Sequence, residues 1–152
     1  MTAAERLAEL GLTLPPVTPP VAAYVPAVKT GNFVYVSGQV PVVEGKLQGK
    51  GKVGDSVTLE EGAALARICA LNGLAAAADA AGGLDAIVRI VKVTCFVASA
   101  PSFTGQPQVA NGASEFFLQV FGEAGKHARS AVGMAVLPLD APVEVELIVE
   151  VA

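Results

Sequence analysis

An arginine and two glutamates in the last quarter of the sequence are the side chains best suited to handle a carboxylate and water. Arg129 stands directly before an apolar run, and a guanidinium can hold a carboxylate through two parallel hydrogen bonds, which lysine cannot do. Glu144 and Glu146 alternate with valines, so they lie on one face of a strand, where a carboxylate can orient water or move a proton. The same pattern also fits a structural role, in which Arg129 pairs with a glutamate such as Glu146.

Two stretches nearer the start of the chain could add to such a site. Tyr24 opens the first predicted strand, and Ser37-Gly38-Gln39 closes the second. Considered alone, the tyrosine fits ordinary sheet packing and the Ser-Gly-Gln sequence fits a strand end. His127, the one histidine in the chain, follows a Gly-Lys pair, and this position favours a solvated loop histidine over a catalytic one.

Several kinds of chemistry are disfavoured by what the sequence lacks. It has no CxxC pair, no HExxH sequence and no Walker loop, and one histidine cannot form a histidine metal site. Cys69 and Cys95 both lie inside apolar runs, so we interpret them as buried free thiols, which fits a reducing compartment. Neither a metal nor a disulfide framework is therefore expected.

Composition and charge narrow the class of partner. The formal net charge is −4, tryptophan is absent and the basic residues are scattered, which disfavours nucleic acid. Residues 63–81 are the most apolar stretch, but Arg67, Asn72 and Asp79 interrupt it, so we predict a packed helix and no membrane span. Residues 1–6 lack the pattern of a signal peptide, and we expect a cytoplasmic protein. With 53% apolar and 16% charged residues, the chain has few polar groups to cover its surface, which indicates a buried subunit interface.

The predicted elements form an α+β domain with the order β-β-α-β-α-β-β. Residues 1–21 are predicted as a short helix and a proline-rich arm, and residues 22–152 as the domain. Thr58-Leu59-Glu60-Glu61 has the spacing of a capping box, so a long helix begins there, and it ends at Gly82-Gly83. The remaining elements are a hairpin at 24–37, strands at 86–98, 129–137 and 143–151, and a second helix at 107–121.

The strand predicted at 86–98 is apolar on both faces, which is typical of the central strand of a covered sheet. One face is predicted to carry Val91, Val93, Cys95 and Val97, and the other Ile90 and Phe96. Two helices can cover only one face of the sheet. We therefore expect the other face, which is also partly apolar, to meet other subunits.

Four segments in register resemble the Rid family, the reactive intermediate deaminases also called YjgF/UK114 proteins. Residues 129–132 and 136–146 resemble the family's arginine, leucine-proline turn and VEVE strand. Tyr24, Gly31-Asn32 and residues 36–41 resemble its tyrosine, GN turn and SGQ(I/V)P block, and residues 91–97 resemble its central strand. The resemblance covers roughly residues 22–152.

The resemblance implies a homotrimer of chorismate-mutase-like fold, in which three sheets form a central barrel and three clefts lie between subunits. It also implies hydrolysis of 2-imino acids and enamines such as 2-aminoacrylate to 2-oxo acids and ammonia, with no cofactor and no metal. Arg129 would bind the substrate carboxylate, and Glu144 would position water or assist proton transfer. Tyr24 would line the cleft from the neighbouring subunit, and backbone groups near Cys95 and Gly38 would frame the imine.

Some features depart from the family pattern. Many members have a cysteine two positions after the arginine, where this chain has Ala131, so no thiol chemistry is expected there. Residues 103–126 align poorly and border the implied cleft, which leaves the substrate preference open. Two alternatives also remain. One is a non-catalytic trimer that binds a small carboxylate metabolite, and the other is an endoribonuclease or translation inhibitor, which the acidic charge and the lack of a histidine pair disfavour.

Overall fold

Two helices cover one face of a five-stranded mixed sheet in the computed structural model, which describes residues 1–17 and 22–152. The strands are β1 (Ala27–Thr30), β2 (Phe33–Gln39), β3 (Val42–Val43), β4 (Lys46–Leu47), β5 (Ile87–Ala98), β6 (Ala128–Met134) and β7 (Val143–Val151). The helices are α1 (Ala3–Glu9), α2 (Leu59–Ala81) and α3 (Gln106–Phe121), with single 3-10 turns at Leu84–Ala86, Gly122–Gly125 and Pro138–Asp140. The predicted α+β order is confirmed, and the short helix predicted within residues 1–21 is present as α1; the small β3–β4 hairpin is added to that order.

The strand order in the main sheet is β1-β2-β7-β5-β6. All neighbouring pairs are antiparallel except β5 and β6, which run parallel and are joined through α3. The last strand, β7, therefore occupies the middle of the sheet. Its valines and Leu147 are buried while Glu144, Glu146 and Glu150 point the other way, so the predicted alternation in this strand is confirmed.

Helix α2 begins and ends where the sequence predicts. Thr58 Oγ1 accepts a hydrogen bond from the Glu61 amide at 3.1 Å, and the Thr58 amide donates to Glu61 Oε1 at 3.3 Å. The helix ends because Gly82 adopts a left-handed conformation with φ of 91°. In the part of the chain that the structure describes, α2 is the one helix long and apolar enough to cross a bilayer, yet 56% of its most apolar window is buried against the domain, as expected of a core helix.

The main core lies between the helices and the sheet face that they cover. Its largest fully buried side chains include Phe116, Phe117, Leu74, Ile90 and Leu147. Cys69 and Cys95 are also buried there as free thiols, as predicted. We call the opposite side of the sheet the open face, and it carries Phe33, Tyr35, Glu144, Glu146 and Ile148.

Two predictions for β5 were wrong, namely the assignment of its faces and its central position in the sheet. The pairing of β5 with β7 shifts by one residue between Ile90 and Lys92, which is a β-bulge. The extra residue places Ile90 on the helix-covered face with Val93, where both are fully buried, whereas Val91 is only partly buried. The strand is also not central, because β7 lies between it and β2.

The segment before β1 packs on the domain of its own chain. Thr2 and Glu5 form a second capping box, and Leu7 of α1 belongs to the main buried core. Leu12 and Leu14, in the predicted arm, also pack against that core. Residues 18–21 of the arm lie outside the described residues.

Candidate functional site

Glu144 lies on the open face of the sheet, opposite Phe96 of β5. Its side chain is only half-buried. Burial raises the pKa of the Glu144 carboxyl above its usual value of 4.5, and the negative charge of Glu146 on the same face raises it further. A carboxyl whose pKa moves toward neutrality can both accept and return a proton during a reaction.

Gly38 and Glu144 are in direct contact. The register of β2 against β7 is irregular between Val36 and Gln39, so this strand bulges at Gly38. The Glu144 carboxylate occupies the space that a Cβ atom at position 38 would need. Ser37 anchors the bulge, because its amide donates to the Pro26 carbonyl at 2.8 Å and its hydroxyl donates to the Val25 carbonyl at 2.9 Å.

Arg129 lies on β6 opposite Val93, and therefore on the helix-covered side of the sheet. Its Nη1 atom donates to Asn111 Oδ1 at 2.8 Å and to Ser114 Oγ at 3.2 Å, both on α3. Within residues 1–17 and 22–152, its Nε and Nη2 atoms donate no hydrogen bond, and the side chain is exposed. One planar edge of the guanidinium is thus fixed to the protein, while the other edge can receive a carboxylate. The alternative in which Arg129 pairs with Glu146 is wrong, because Glu146 points to the open face.

His127 is not the solvated loop residue that the sequence predicts. It is half-buried, its Nε2 atom lies 2.8 Å from Ser114 Oγ, and its Nδ1 atom lies 2.6 Å from the Gly125 carbonyl oxygen. The 3-10 turn at Gly122–Gly125 precedes it, and the imidazole packs edge-on against Phe117 with ring centroids 6.0 Å apart. Burial lowers the pKa of His127 below 6.5, and the charge of Arg129 adds to this effect.

The sequence prediction missed Asn111, Ser114 and His127 as neighbours of Arg129. Asn111 and Ser114 stand three residues apart on α3, so they share one face of the helix. That spacing was the available signal that the two side chains act together. It could not show that they contact Arg129, which is 15 residues from Ser114 along the chain.

Cys95 and Tyr24 occupy different surroundings. The Cys95 side chain is fully buried on the helix-covered face between β6 and β7, and burial raises the pKa of its thiol to about 12, so the thiol is not presented to a ligand. Tyr24 does not open a strand as predicted, since β1 begins three residues later at Ala27. Its ring is exposed, and the hydrogen bond from Ser37 to Val25 holds the adjacent backbone near the Gly38 bulge.

The predicted site residues fall into two groups on opposite faces of the sheet. Glu144 and Gly38 are together on the open face, whereas Arg129 and Cys95 belong to the helix-covered face of the neighbouring strands β6 and β5. A sheet separates the two groups within one protomer. A ligand that contacts both Arg129 and Glu144 therefore requires an arrangement that a single protomer does not provide.

The open face exposes more large apolar side chains than a surface sheet usually does. Among them are Val28, Phe33, Tyr35, Val132 and Met134. A shallow depression of about 290 Å³ is lined by Val28 and Tyr35 of this group together with polar side chains such as Lys92, Thr94 and Glu146. An apolar surface interrupted by a few polar groups is characteristic of protein contact surfaces.

The described residues offer little for a metal or a dinucleotide. In residues 1–17 and 22–152, no group of three or more His, Cys, Asp or Glu side chains is arranged to hold a metal ion. Residues 49–54 spell a GxGxxG sequence, but they follow the two-residue strand β4 outside the main sheet and end four residues before α2. They therefore lack the direct strand-to-helix turn on which a dinucleotide site depends.

Known proteins match this chain over nearly its whole length. The family described as "YjgF/chorismate mutase-like, putative endoribonuclease" matches residues 4–151. Protein TCP17 of Trypanosoma cruzi is 47% identical over 148 residues, which cover 97% of this chain and 92% of TCP17. Atu1372 from Agrobacterium tumefaciens is a protein of unknown function whose crystal structure superposes on this chain with a TM-score of 0.92 at 46% identity. The superposition covers 99% of this chain and 92% of the Atu1372 chain.

The relatives carry two different named activities. A putative endoribonuclease from Shewanella oneidensis has a crystal structure that superposes with a TM-score of 0.94 at 34% identity, over 99% of this chain and 100% of that one. The 2-iminobutanoate/2-iminopropanoate deaminase of Dermatophagoides farinae is 32% identical over 131 residues, which cover 86% of this chain and 87% of that protein.

Proposed function

We propose, since the chain belongs to the YjgF (Rid) family, that it hydrolyses 2-imino acids and enamines of the 2-aminoacrylate type to 2-oxo acids and ammonia. The observation that carries this proposal is how the Arg129 guanidinium is held and which part of it is exposed. One edge of its guanidinium is fixed by Asn111 and Ser114, and the edge formed by Nε and Nη2 is exposed. Such a cation is arranged to receive the carboxylate that every 2-imino acid carries.

Glu144 supplies the proton transfer. Water adds to the imine carbon, and the Glu144 carboxylate accepts a proton from that water. That proton passes to the imine nitrogen, which gives the carbinolamine. Glu144 then moves a second proton from the new hydroxyl to the amine, the C–N bond breaks, and ammonia leaves as the 2-oxo acid forms. Partial burial supports this role, because it raises the pKa of the carboxyl toward the pH at which it must take up and release a proton.

The reaction takes place between subunits of a homotrimer. Arg129 and Glu144 lie on opposite faces of one sheet, so a neighbouring protomer must contribute one of the two. The apolar side chains of the open face support such an assembly, because a central barrel built from three sheets would bury them. Tyr24 then lines the cleft of the neighbour, and backbone groups near Gly38 and Cys95 frame the imine. A cytoplasmic location completes the proposal, and the two free thiols agree with it.

Coupled hydrolysis tests the activity. An amino-acid oxidase generates the imino acid in situ, and semicarbazide traps the imine that remains. Wild-type protein should lower the semicarbazone signal, and Arg129→Ala should abolish this effect while leaving the oligomer intact. Arg129→Lys should lose roughly tenfold or more, because an ammonium cannot form two parallel hydrogen bonds to a carboxylate.

Arg67→Ala is the matched control. Arg67 lies over the ring of Phe116 at 5.2 Å and donates to Gln119, so its loss should leave hydrolysis unchanged. A wild-type signal equal to the enzyme-free control across several amino acids would refute the deaminase. If the same protein bound a 2-oxo acid, the metabolite-binding trimer would take its place.

Cleavage of RNA has less support from the described residues. The net charge is −4, and both ring nitrogens of the one histidine are engaged with Ser114 and Gly125. Neither feature suits a phosphate backbone or acid–base attack on ribose. RNA cleavage by the wild type that disappears in Arg129→Ala would favour the endoribonuclease over the deaminase.

A further inference from the structure

With a neutral His127 ring, the hydrogen bonds around Arg129 can be satisfied in only one way. The guanidinium can only donate, so Ser114 Oγ accepts from Arg129 Nη1 at 3.2 Å. The one hydroxyl proton of Ser114 is then directed to His127 Nε2 at 2.8 Å, and this nitrogen must accept. The ring proton therefore sits on His127 Nδ1, which donates to the Gly125 carbonyl at 2.6 Å.

We propose that Ser114 and neutral His127 are positioning residues that hold the Arg129 guanidinium in the orientation that binds substrate. This inference rests on the proposed function, and it adds to that function the residues that fix the carboxylate-binding cation. The order of donation is Arg129 to Ser114 to His127 to the Gly125 carbonyl. Asn111 Oδ1 accepts from the same Nη1 atom at 2.8 Å and fixes the guanidinium from a second direction.

The end of this chain of hydrogen bonds is rigid. The His127 ring packs against Phe117, whose side chain is fully buried in the core, and the Gly125 backbone is buried as well. A serine hydroxyl alone could rotate, but an acceptor fixed in the core directs its proton and leaves its lone pairs toward Arg129. An exposed arginine with several rotatable bonds thereby keeps one orientation before substrate arrives, which reduces the entropy lost on binding.

A protonated His127 could not serve in this way. Its Nε2 atom would donate, Ser114 would lose the acceptor for its own proton, and a second cation would lie across the hydroxyl from Arg129. Arg89, Lys126 and Glu150 border the same surface depression as His127, and Lys126 is ion-paired with Glu123 at 3.0 Å, so these charges offset one another. Arg129, on the other side of Ser114, is then the cation that supports the neutral form of the ring.

Substitutions at 114 and 127 separate positioning from a merely structural role. Ser114→Ala and His127→Phe should each raise KM for imino acids, and the Kd for a stable 2-oxo acid, by about tenfold, the usual effect of one lost hydrogen bond to a charged group. The value of kcat should stay within about twofold, because neither side chain touches the reacting atoms. Combining the two should add little, since both interrupt the same chain of hydrogen bonds.

Conservative variants provide the rescue. Ser114→Thr keeps the hydroxyl, and His127→Gln offers an amide oxygen that can accept in place of Nε2 without titrating. Both should keep a KM near that of the wild type. The single histidine also allows a direct measurement, since nitrogen-15 NMR of the imidazole should show a neutral ring with the proton on Nδ1 at pH 7.

The possible failures can be told apart. A wild-type protein that neither hydrolyses imino acids nor binds a 2-oxo acid would overturn the proposed function and, with it, the role given to Ser114 and His127. Active wild-type protein whose KM and Kd are unchanged by Ser114→Ala and His127→Phe would overturn the positioning role alone. So would an imidazole that is charged at pH 7 or carries its proton on Nε2.

Discussion

Arg129 and Glu144 project from opposite faces of the same sheet, Arg129 beside buried Val93 and Glu144 beside Phe96. The two side chains would serve one substrate only if different protomers supplied them. Whether one protomer or two supply the residues of a site can therefore be tested by experiment.

Mixing two inactive variants should restore part of the activity. If each site takes Arg129 from one protomer and Glu144 from its neighbour, hybrid trimers of Arg129→Ala and Glu144→Gln contain some sites with both native residues. Random assembly at equal amounts gives about one quarter of the sites intact. Co-refolded mixtures should be assayed against each variant alone. No recovery from mixtures that native mass spectrometry shows to be hybrid would place the two residues in one protomer's site, or in none.

Glu144→Gln should make the protein more stable at neutral pH while it lowers kcat on the order of a hundredfold, the effect of losing one general acid–base. Because the pKa of Glu144 is raised in the fold, ionising this carboxyl costs stability; the cost begins as the pH rises through the ordinary pKa of 4.5 and is complete above the raised pKa. The gain in Tm should therefore be present at pH 8, fade as the pH falls, and be lost below 4.5, where the carboxyl is protonated in both states. Glu146→Gln, on the same face but exposed, should keep most of the activity. An equal gain in Tm at pH 4 and pH 8 would show that burial of the charge is not its source.

Gly38→Ala should impair both the fold and the reaction. The new Cβ would collide with the Glu144 carboxylate and displace it, with a loss of stability of about 1–3 kcal/mol, as for other overpacked sites. We expect kcat to fall with it, measured beside chemical unfolding. Gly133→Ala is the control, because its Cβ would meet the end of the Gln106 side chain at 3.0 Å, which can shift, and Ser99 Oγ at an ordinary contact distance of 3.4 Å. Full activity in Gly38→Ala would show that the position of Glu144 does not matter for imine hydrolysis.

Cys95→Ala should retain imine hydrolysis, since the thiol faces the core and is fully buried, away from any ligand. The substitution should lower stability by roughly 1 kcal/mol through the small cavity that it leaves. In the native wild-type protein, Cys95 should also resist iodoacetamide at pH 8, because its pKa of about 12 keeps it protonated. Rapid alkylation of native protein, followed by mass spectrometry, would contradict this description of the site.

The order of the elements could be predicted because local patterns determine it. The Thr58 capping box and the alternation along β7 both involve residues adjacent in sequence, and the structure has them as expected. The β5 bulge could not be predicted, because it depends on how this strand registers against β7, more than 50 residues further along the chain. One inserted residue reverses the side to which Ile90 points.

The candidate site shows the same division. Arg129 and Glu144 were identified by type and by resemblance, but the sequence contains nothing that states which face of the sheet each side chain occupies. His127 was predicted as solvated because its neighbours in sequence are Gly125 and Lys126. Its actual partners, Ser114 and Phe117, come from α3 and reach it only through the tertiary fold.

The central position of β7 also affects how the protein is made. Both neighbours of this strand, β2 and β5, leave the ribosome before it, and each waits with an unpaired edge for residues 143–151. The nascent chain therefore carries a gap in its sheet until the last of its five strands is synthesised, and in that interval it is exposed to aggregation and to chaperones. Variants that weaken β7 should accordingly reduce the yield of soluble protein more than their effect on the finished fold suggests.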